Sequence, residues 1–141
     1  MTELRRHEKL WRTALHVFMP AFVAVILGLG STPVAHAAAV TATLSVENTW
    51  QTGFIARYTI TNASMAQLSD WRLEFDLPVG EGLSHTWNSS FAQSGTHFVI
   101  TPANWNRTIA PGGSATGGMR GVLTGSYSPP VNCRINGLPC T

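Results

Sequence analysis

Three tryptophans stand in polar surroundings where a core tryptophan is not expected. Trp50, Trp87 and Trp105 each neighbour asparagine or threonine and lie in short, turn-like segments. A large aromatic ring is costly to leave in water, and several rings on one surface form an exposed apolar patch, which usually marks a binding site. These residues therefore predict a surface that binds a flat, mostly uncharged partner.

The carboxylates offer a weaker indication of chemistry. Glu74 and Asp76 lie two apart on a predicted strand, and paired carboxylates can act as the acid and base of a glycosidase. They share a polar strand face with Arg72, however, and a solvated face is the favoured interpretation. The sequence contains no nucleophile elbow and no phosphate loop, so we predict no catalytic residue, no cofactor and no enzyme activity.

A copper-dependent alternative depends on where the chain is processed. Cleavage after Ala35 would make His36 the new N-terminus, and His36 could bind copper together with His85 or His97, as in an oxidative polysaccharide-cleaving enzyme. Cleavage after Ala37 fits the small-residue pattern better. We therefore predict no metal site, and N-terminal sequencing would decide between the two.

The first 37 residues are typical of a secretory signal peptide. A basic start is followed by an uncharged, mostly apolar run over 17–30, too short to span a bilayer comfortably, and by an Ala-x-Ala signal that ends at Ala37. An uncleaved membrane anchor is the alternative. We predict a secreted, extracellular protein with no membrane contact after signal removal, whose residues 38–141 form one small monomeric domain.

The charge balance limits the class of partner. The whole chain has a net charge of +2, but residues 38–141 carry five arginines, five carboxylates and no lysine. A neutral domain lacks the basic footprint that nucleic acids and anionic membranes require, so we predict a neutral partner and no nucleic-acid binding.

Residues 38–141 contain strand patterns and no useful helix period. Apolar and polar residues alternate in short segments separated by Gly, Pro, Asn and Ser, which predicts an all-β, antiparallel β-sandwich. Trp71 is in phase with Leu73 and Phe75, so it is predicted to fill the core. The segments cover residues 40–47, 54–61, 71–76, 98–100, 115–123 and 131–135.

Cys133 and Cys140 are the only cysteines, and an exported protein permits a disulfide between them. Free or intermolecular thiols are the alternative.

The sequence resembles the family 2 carbohydrate-binding modules of secreted bacterial cellulases and xylanases. The resemblance covers residues 41–140 and implies a β-sandwich with one flat aromatic face. It assigns Trp50, Trp87 and Trp105 to that face, here called the aromatic strip, and Trp71 to the interior. The carrying segments are 48–54, 60–62, 70–75, 87–90, 93–95, 104–106, 110–113 and 136–140.

The resemblance also bears on the ligand. The xylan-binding branch has an arginine where this chain has Gly53, and it tends to lack the third tryptophan, so the resemblance implies binding of crystalline cellulose, with chitin or xylan as alternatives. The flat faces of a β-linked glucan expose C–H groups that stack on indole. The implied polar contacts are Asn48, His85, Thr116 and Arg120, of which His85 and Arg120 replace amides more usual in the family.

Two departures from the family pattern concern stability. Thr41 stands where the family commonly has a cysteine that links the first strand to the last cysteine, so that link between the chain ends is missing. Gly117 replaces a large apolar residue, which predicts a thinner core at that point.

Overall fold

The computed structural model describes residues 39–141, which form an all-β, antiparallel structure and confirm the predicted fold class. The signal peptide predicted for residues 1–37, and with it His36, lies outside the described residues. Within residues 39–141 no helix is long and apolar enough to cross a membrane. The eleven strands are β1 Val40–Trp50, β2 Gly53–Asn62, β3 Leu68–Ser69, β4 Leu73–Asp76, β5 Glu81–Trp87, β6 Ser89–Ser94, β7 His97–Pro102, β8 Thr108–Ile109, β9 Ser114–Leu123, β10 Val131–Ile135 and β11 Leu138–Pro139.

The strands form two main sheets and one small one. The four-stranded sheet has the order β1-β2-β9-β5, and the five-stranded sheet has the order β11-β10-β4-β7-β6. The short strands β3 and β8 pair separately. Alternation in β2 and β9 sends one set of side chains inward and the other to solvent, as period-2 geometry requires.

The core lies between the inward faces of these sheets. Trp71 is fully buried, as predicted, although it precedes β4 rather than lying within it. Its ring lies 5.7 Å from the ring of Tyr58, which comes from the opposite sheet. The core is not thin at Gly117, because a Cβ built there would lie 2.0 Å from the Tyr58 hydroxyl oxygen. The tyrosine occupies the space that the missing side chain leaves.

A disulfide and backbone hydrogen bonds fix the C-terminal end of the chain. Cys133 and Cys140 form a disulfide, which confirms the predicted pairing. The Thr141 amide donates to the Ala42 carbonyl at 2.9 Å, so hydrogen bonds join the last residue to β1, the strand on which Thr41 replaces the family's cysteine.

Candidate functional site

The solvent-facing side of the four-stranded sheet, here called the outer face, carries two of the three candidate tryptophans. Trp50 is the last residue of β1 and Trp87 is the last residue of β5, so both end strands rather than lying in turns as the sequence suggested. The two strands are at opposite edges of the sheet. The rings therefore lie diagonally across one face.

Each ring lies against a glycine. Trp50 pairs with Gly53, and a Cβ built on Gly53 would lie 2.6 Å from the Trp50 Cζ2 atom. Trp87 pairs with Gly118 of β9, where a Cβ would lie 2.1 Å from the Trp87 Cζ2 atom. Glycine inside a strand often marks such a close approach. Without side chains beneath them, both rings can lie close to the sheet.

A row of polar residues crosses the outer face between the two tryptophans. The strand register places Asn48 opposite Ile55, Ile55 opposite Arg120, and Arg120 opposite His85. Three of the four predicted polar residues therefore share one row. The guanidinium carbon of Arg120 lies 5.7 Å from the centre of the Trp50 ring, within cation–π range.

Thr116, the fourth predicted polar residue, lies outside this row. It is exposed, four residues before Arg120 on β9, and its carbonyl accepts a hydrogen bond from the Asn88 side chain at 3.0 Å. Its hydroxyl is thus at the far end of the outer face from Trp50.

Trp105 lies in the loop between β7 and β8 and is 75% exposed. The next residue, Asn106, donates from Nδ2 to the Asn88 carbonyl at 2.7 Å, and its own carbonyl accepts the indole N–H of Trp71 at 2.8 Å. Asn88 directly follows Trp87. The Trp105 loop is therefore attached both to the core and to the end of β5.

Asn88 has a φ of 60°, in the left-handed region that Asn tolerates better than most residues. Tyr58 donates a long hydrogen bond of 3.4 Å to the Asn88 carbonyl. Burial raises the pKa of Tyr58, so it stays a neutral donor at physiological pH.

An open groove of about 740 Å³ adjoins Trp50. Hydroxyl and amide side chains predominate in its wall, which contains no charged residue. The lining residues are Thr49, Trp50, Gln51, Thr52, Leu123, Thr124, Gly125, Ser126 and Tyr127.

Residues 39–141 contain no group of three His, Cys, Asp or Glu side chains arranged to hold a metal ion. His85 and His97 lie on different sheets. Glu74 and Asp76 contact Arg72 and His97 on the five-stranded sheet, which fits the solvated strand face favoured above.

Sequence reasoning missed several residues of this region: Ile55, Asn88, Asn106, Gly118 and Val122. Gly118 left a signal, because it occupies an outward position in the alternation of β9, where an ordinary strand would carry a side chain. The contact between Asn88 and Asn106 left none, since it joins two loops that only the fold brings together.

Comparisons with known proteins agree with this architecture. A family model described as a cellulose binding domain matches residues 40–140. The chain is 66% identical over 142 residues to the cellulose/chitin binding protein of Mycobacterium tuberculosis, covering 100% of both chains.

Two solved structures are similar as well. The chitin-binding domain of Chi18aC from Streptomyces coelicolor has a TM-score of 0.61 and 36% identity, over 72% of this chain and 94% of that one. The cellulose-binding family 2 carbohydrate-binding domain from ScLPMO10C has a TM-score of 0.58 and 28% identity, over 70% and 97%. The chain therefore belongs to the cellulose binding domain family, the polysaccharide-binding family 2 of carbohydrate-binding modules.

Proposed function

We propose that this protein is a secreted, monomeric, non-catalytic module that binds the flat surface of crystalline cellulose through Trp50, Trp87 and Trp105. The observation that carries the proposal is the pair of glycines beneath two of the rings. Gly53 and Gly118 leave room for Trp50 and Trp87 to lie close to the outer face, where a planar ligand can contact both. Rings held in this way contact a sugar surface with little entropy left to lose.

The third ring extends this surface. Trp105 is the most exposed of the three, and its loop is hydrogen-bonded to the residue after Trp87. One stacked sugar contributes about 0.5–1.5 kcal/mol beyond area burial, on the scale for aromatic pairs, so a single ring binds weakly. Several rings that contact one rigid glucan surface gain affinity through shared attachment.

Polar contacts to the glucan hydroxyls would come from Asn48, Arg120 and His85, which form the row between two of the rings. Thr116 would contribute further along β9. Gly53 favours cellulose over xylan in this proposal. A Cβ at this position would lie 2.6 Å from Trp50 Cζ2 and 2.5 Å from the Gly121 carbonyl oxygen. A larger residue would push the ring out of its present position.

Chitin is the second candidate ligand. The Mycobacterium tuberculosis relative is named as a cellulose/chitin binding protein, and a similar solved domain is named as chitin-binding. Chitin is also a β-linked chain with flat sugar faces, so the same three rings would serve.

The test is depletion of the purified protein from solution by microcrystalline cellulose, by chitin and by insoluble xylan. Alanine at Trp50, Trp87 or Trp105 should weaken cellulose binding at least about tenfold, because stacking and buried area are both lost. Phe91→Ala is the matched control, since Phe91 is an equally exposed aromatic on the other sheet, 36% against 36% for Trp50. A folded triple alanine variant that binds cellulose like the native protein would refute the proposal, and size-exclusion chromatography tests the monomer.

A further inference from the structure

The outer face carries a positive charge that no carboxylate of residues 39–141 neutralises. Arg57, the other arginine on this face, donates from Nε to Glu47 at 2.6 Å. Arg120 forms no ion pair within residues 39–141, and His85 is the residue opposite it on β5. A domain whose total charge balances therefore has a local excess of positive charge between Trp50 and Trp87.

The five side-chain carboxylates of the described residues are engaged elsewhere. Glu47, Glu74 and Asp70 each pair with another arginine. Asp76 accepts bonds from an asparagine side chain and from His97, which lower its pKa. Glu81 accepts from a backbone amide at 2.6 Å. The charge on Arg120 is thus left available to a ligand.

The position of this charge matters as much as its sign. The guanidinium carbon is 5.7 Å from the centre of the Trp50 ring, so a sugar stacked on that ring brings its substituents beside Arg120. A guanidinium offers hydrogen-bond donors in a planar fork that matches a carboxylate and has no acceptor. A hydroxyl group can accept one hydrogen bond from this fork, whereas a carboxylate can accept two charge-assisted bonds from it.

We infer that Arg120 makes the outer face prefer β-linked polysaccharide that carries carboxylate groups over the same polysaccharide without them. The inference rests on the proposed function, because the glycan must stack on Trp50 for its carboxylate to reach Arg120. Total charge alone predicts a neutral partner. The inference widens that class to β-linked polysaccharides that are neutral or carry a few carboxylate groups.

The experiment compares three solids made from one batch of microcrystalline cellulose. The first is untreated, the second has surface C6 groups oxidised to carboxylates, and the third is the oxidised solid with those carboxylates converted to neutral methylamides. Depletion isotherms are measured at low salt and at high salt. We expect about two- to fivefold tighter binding to the carboxylated solid at low salt, the range of an exposed ion pair. High salt should remove this preference.

Two variants separate a local effect from a change in total charge. Arg120→Gln should bind the carboxylated and the untreated solid with equal affinity, at the level that remains after its contact to the glucan hydroxyls is lost. Arg134→Gln removes the same charge from β10 of the five-stranded sheet and should keep the preference. Arg120→Lys retains the positive charge but not the planar fork of donors. It should therefore keep part of the preference for the carboxylated solid.

Several results would overturn the inference: equal affinity of the native protein for all three solids at low salt, equal loss of preference in Arg134→Gln, or a preference that survives in Arg120→Gln. If Arg120→Gln instead lost affinity for chitin alone, the guanidinium would be recognising an acetamido carbonyl and the inference would again be wrong. Failure to bind untreated cellulose is a separate result that refutes the proposed function.

Discussion

The glycine beneath Trp87 allows a test that leaves all three tryptophans in place. A Cβ added at Gly118 would lie 2.1 Å from Trp87 Cζ2 and 2.4 Å from Cε2. Ordinary contact begins at 3.4 Å, so in Gly118→Ala the ring must retreat by about 1.3 Å. The same Cβ would lie 2.8 Å from the Ala56 carbonyl oxygen of β2, so the backbone must adjust slightly while the ring moves outward or tilts.

The size of the effect follows from the rigidity of the ligand. A gap of about 0.5–1 Å already loses a quarter to a half of a dispersion contact. If Trp87 stands 1.3 Å higher, a planar crystal surface is lifted from Trp50 and Trp105; if Trp87 tilts, its own contact is lost. Loss of one or two aromatic contacts of about 0.5–1.5 kcal/mol each weakens binding by about 2- to 150-fold.

The measurement is a depletion isotherm on microcrystalline cellulose, with a thermal melt of each variant. Gly82→Ala is the matched control, because Gly82 is on the same strand as Trp87, pairs with the outward-facing Val122, and its added Cβ would meet Val122 Cγ2 at an ordinary 3.5 Å. It should bind like the native protein. A folded Gly118→Ala protein with native affinity would show that the height of the Trp87 ring does not matter, and equal weakening by Gly82→Ala would make the effect nonspecific.

Three further predictions concern the surroundings of the outer face. Asn106→Ala removes the hydrogen bond between the Trp105 loop and the end of β5, so cellulose affinity should fall while the protein stays folded, with about 1 kcal/mol less unfolding free energy in a denaturant titration. Reduction of the bond between Cys133 and Cys140 should cost about 2.5 kcal/mol of stability, on chain-entropy grounds, without changing cellulose affinity, because neither cysteine lies on the outer face. Asp76 has a pKa below its ordinary value of 3.8, mainly because an asparagine side chain donates a hydrogen bond to it and secondly because a histidine does. Its contribution to stability is therefore present above pH 3.8 and is lost as the pH falls through the lower pKa of the folded state. Asp76→Asn should therefore show a smaller loss of unfolding free energy between neutral and acid pH, and an unchanged acid profile would contradict this.

The part of the fold that could be predicted is the part with a buried face. β1, β2 and β9 alternate apolar and polar residues along their length, so period-2 reasoning located them. β5 and β6 were missed because they bury almost no side chains: Leu83 is the only buried residue of β5, and β6 contains none. A strand without a buried face leaves little alternation to read.

The candidate site was predictable at the level of residue type. The polar neighbours of Trp50, Trp87 and Trp105 distinguished them from the buried Trp71, and exposure distinguishes them in the structure. The row that unites three of the polar residues depends on register across four strands, including two register shifts. A sequence without its strand pairing contains no such information, and neither does it reveal that Arg120 has no carboxylate partner within residues 39–141.

The glycines of β9 connect the stability of the domain with its proposed binding. Gly117 faces inward, where Tyr58 occupies the space of its missing side chain, and Gly121 admits a core phenylalanine ring in the same way. Gly118 faces outward and admits the ring of Trp87. Aromatic rings thus pack against both faces of the central strand β9, and the alternation of side-chain direction determines on which face each glycine lies.

Alanine at Gly117 or Gly121 should therefore lower stability through overpacking of the core, by about 1–3 kcal/mol or more. Alanine at Gly118 should weaken binding by displacing the Trp87 ring, and it should also lower stability, because its Cβ would lie 2.8 Å from the Ala56 carbonyl oxygen.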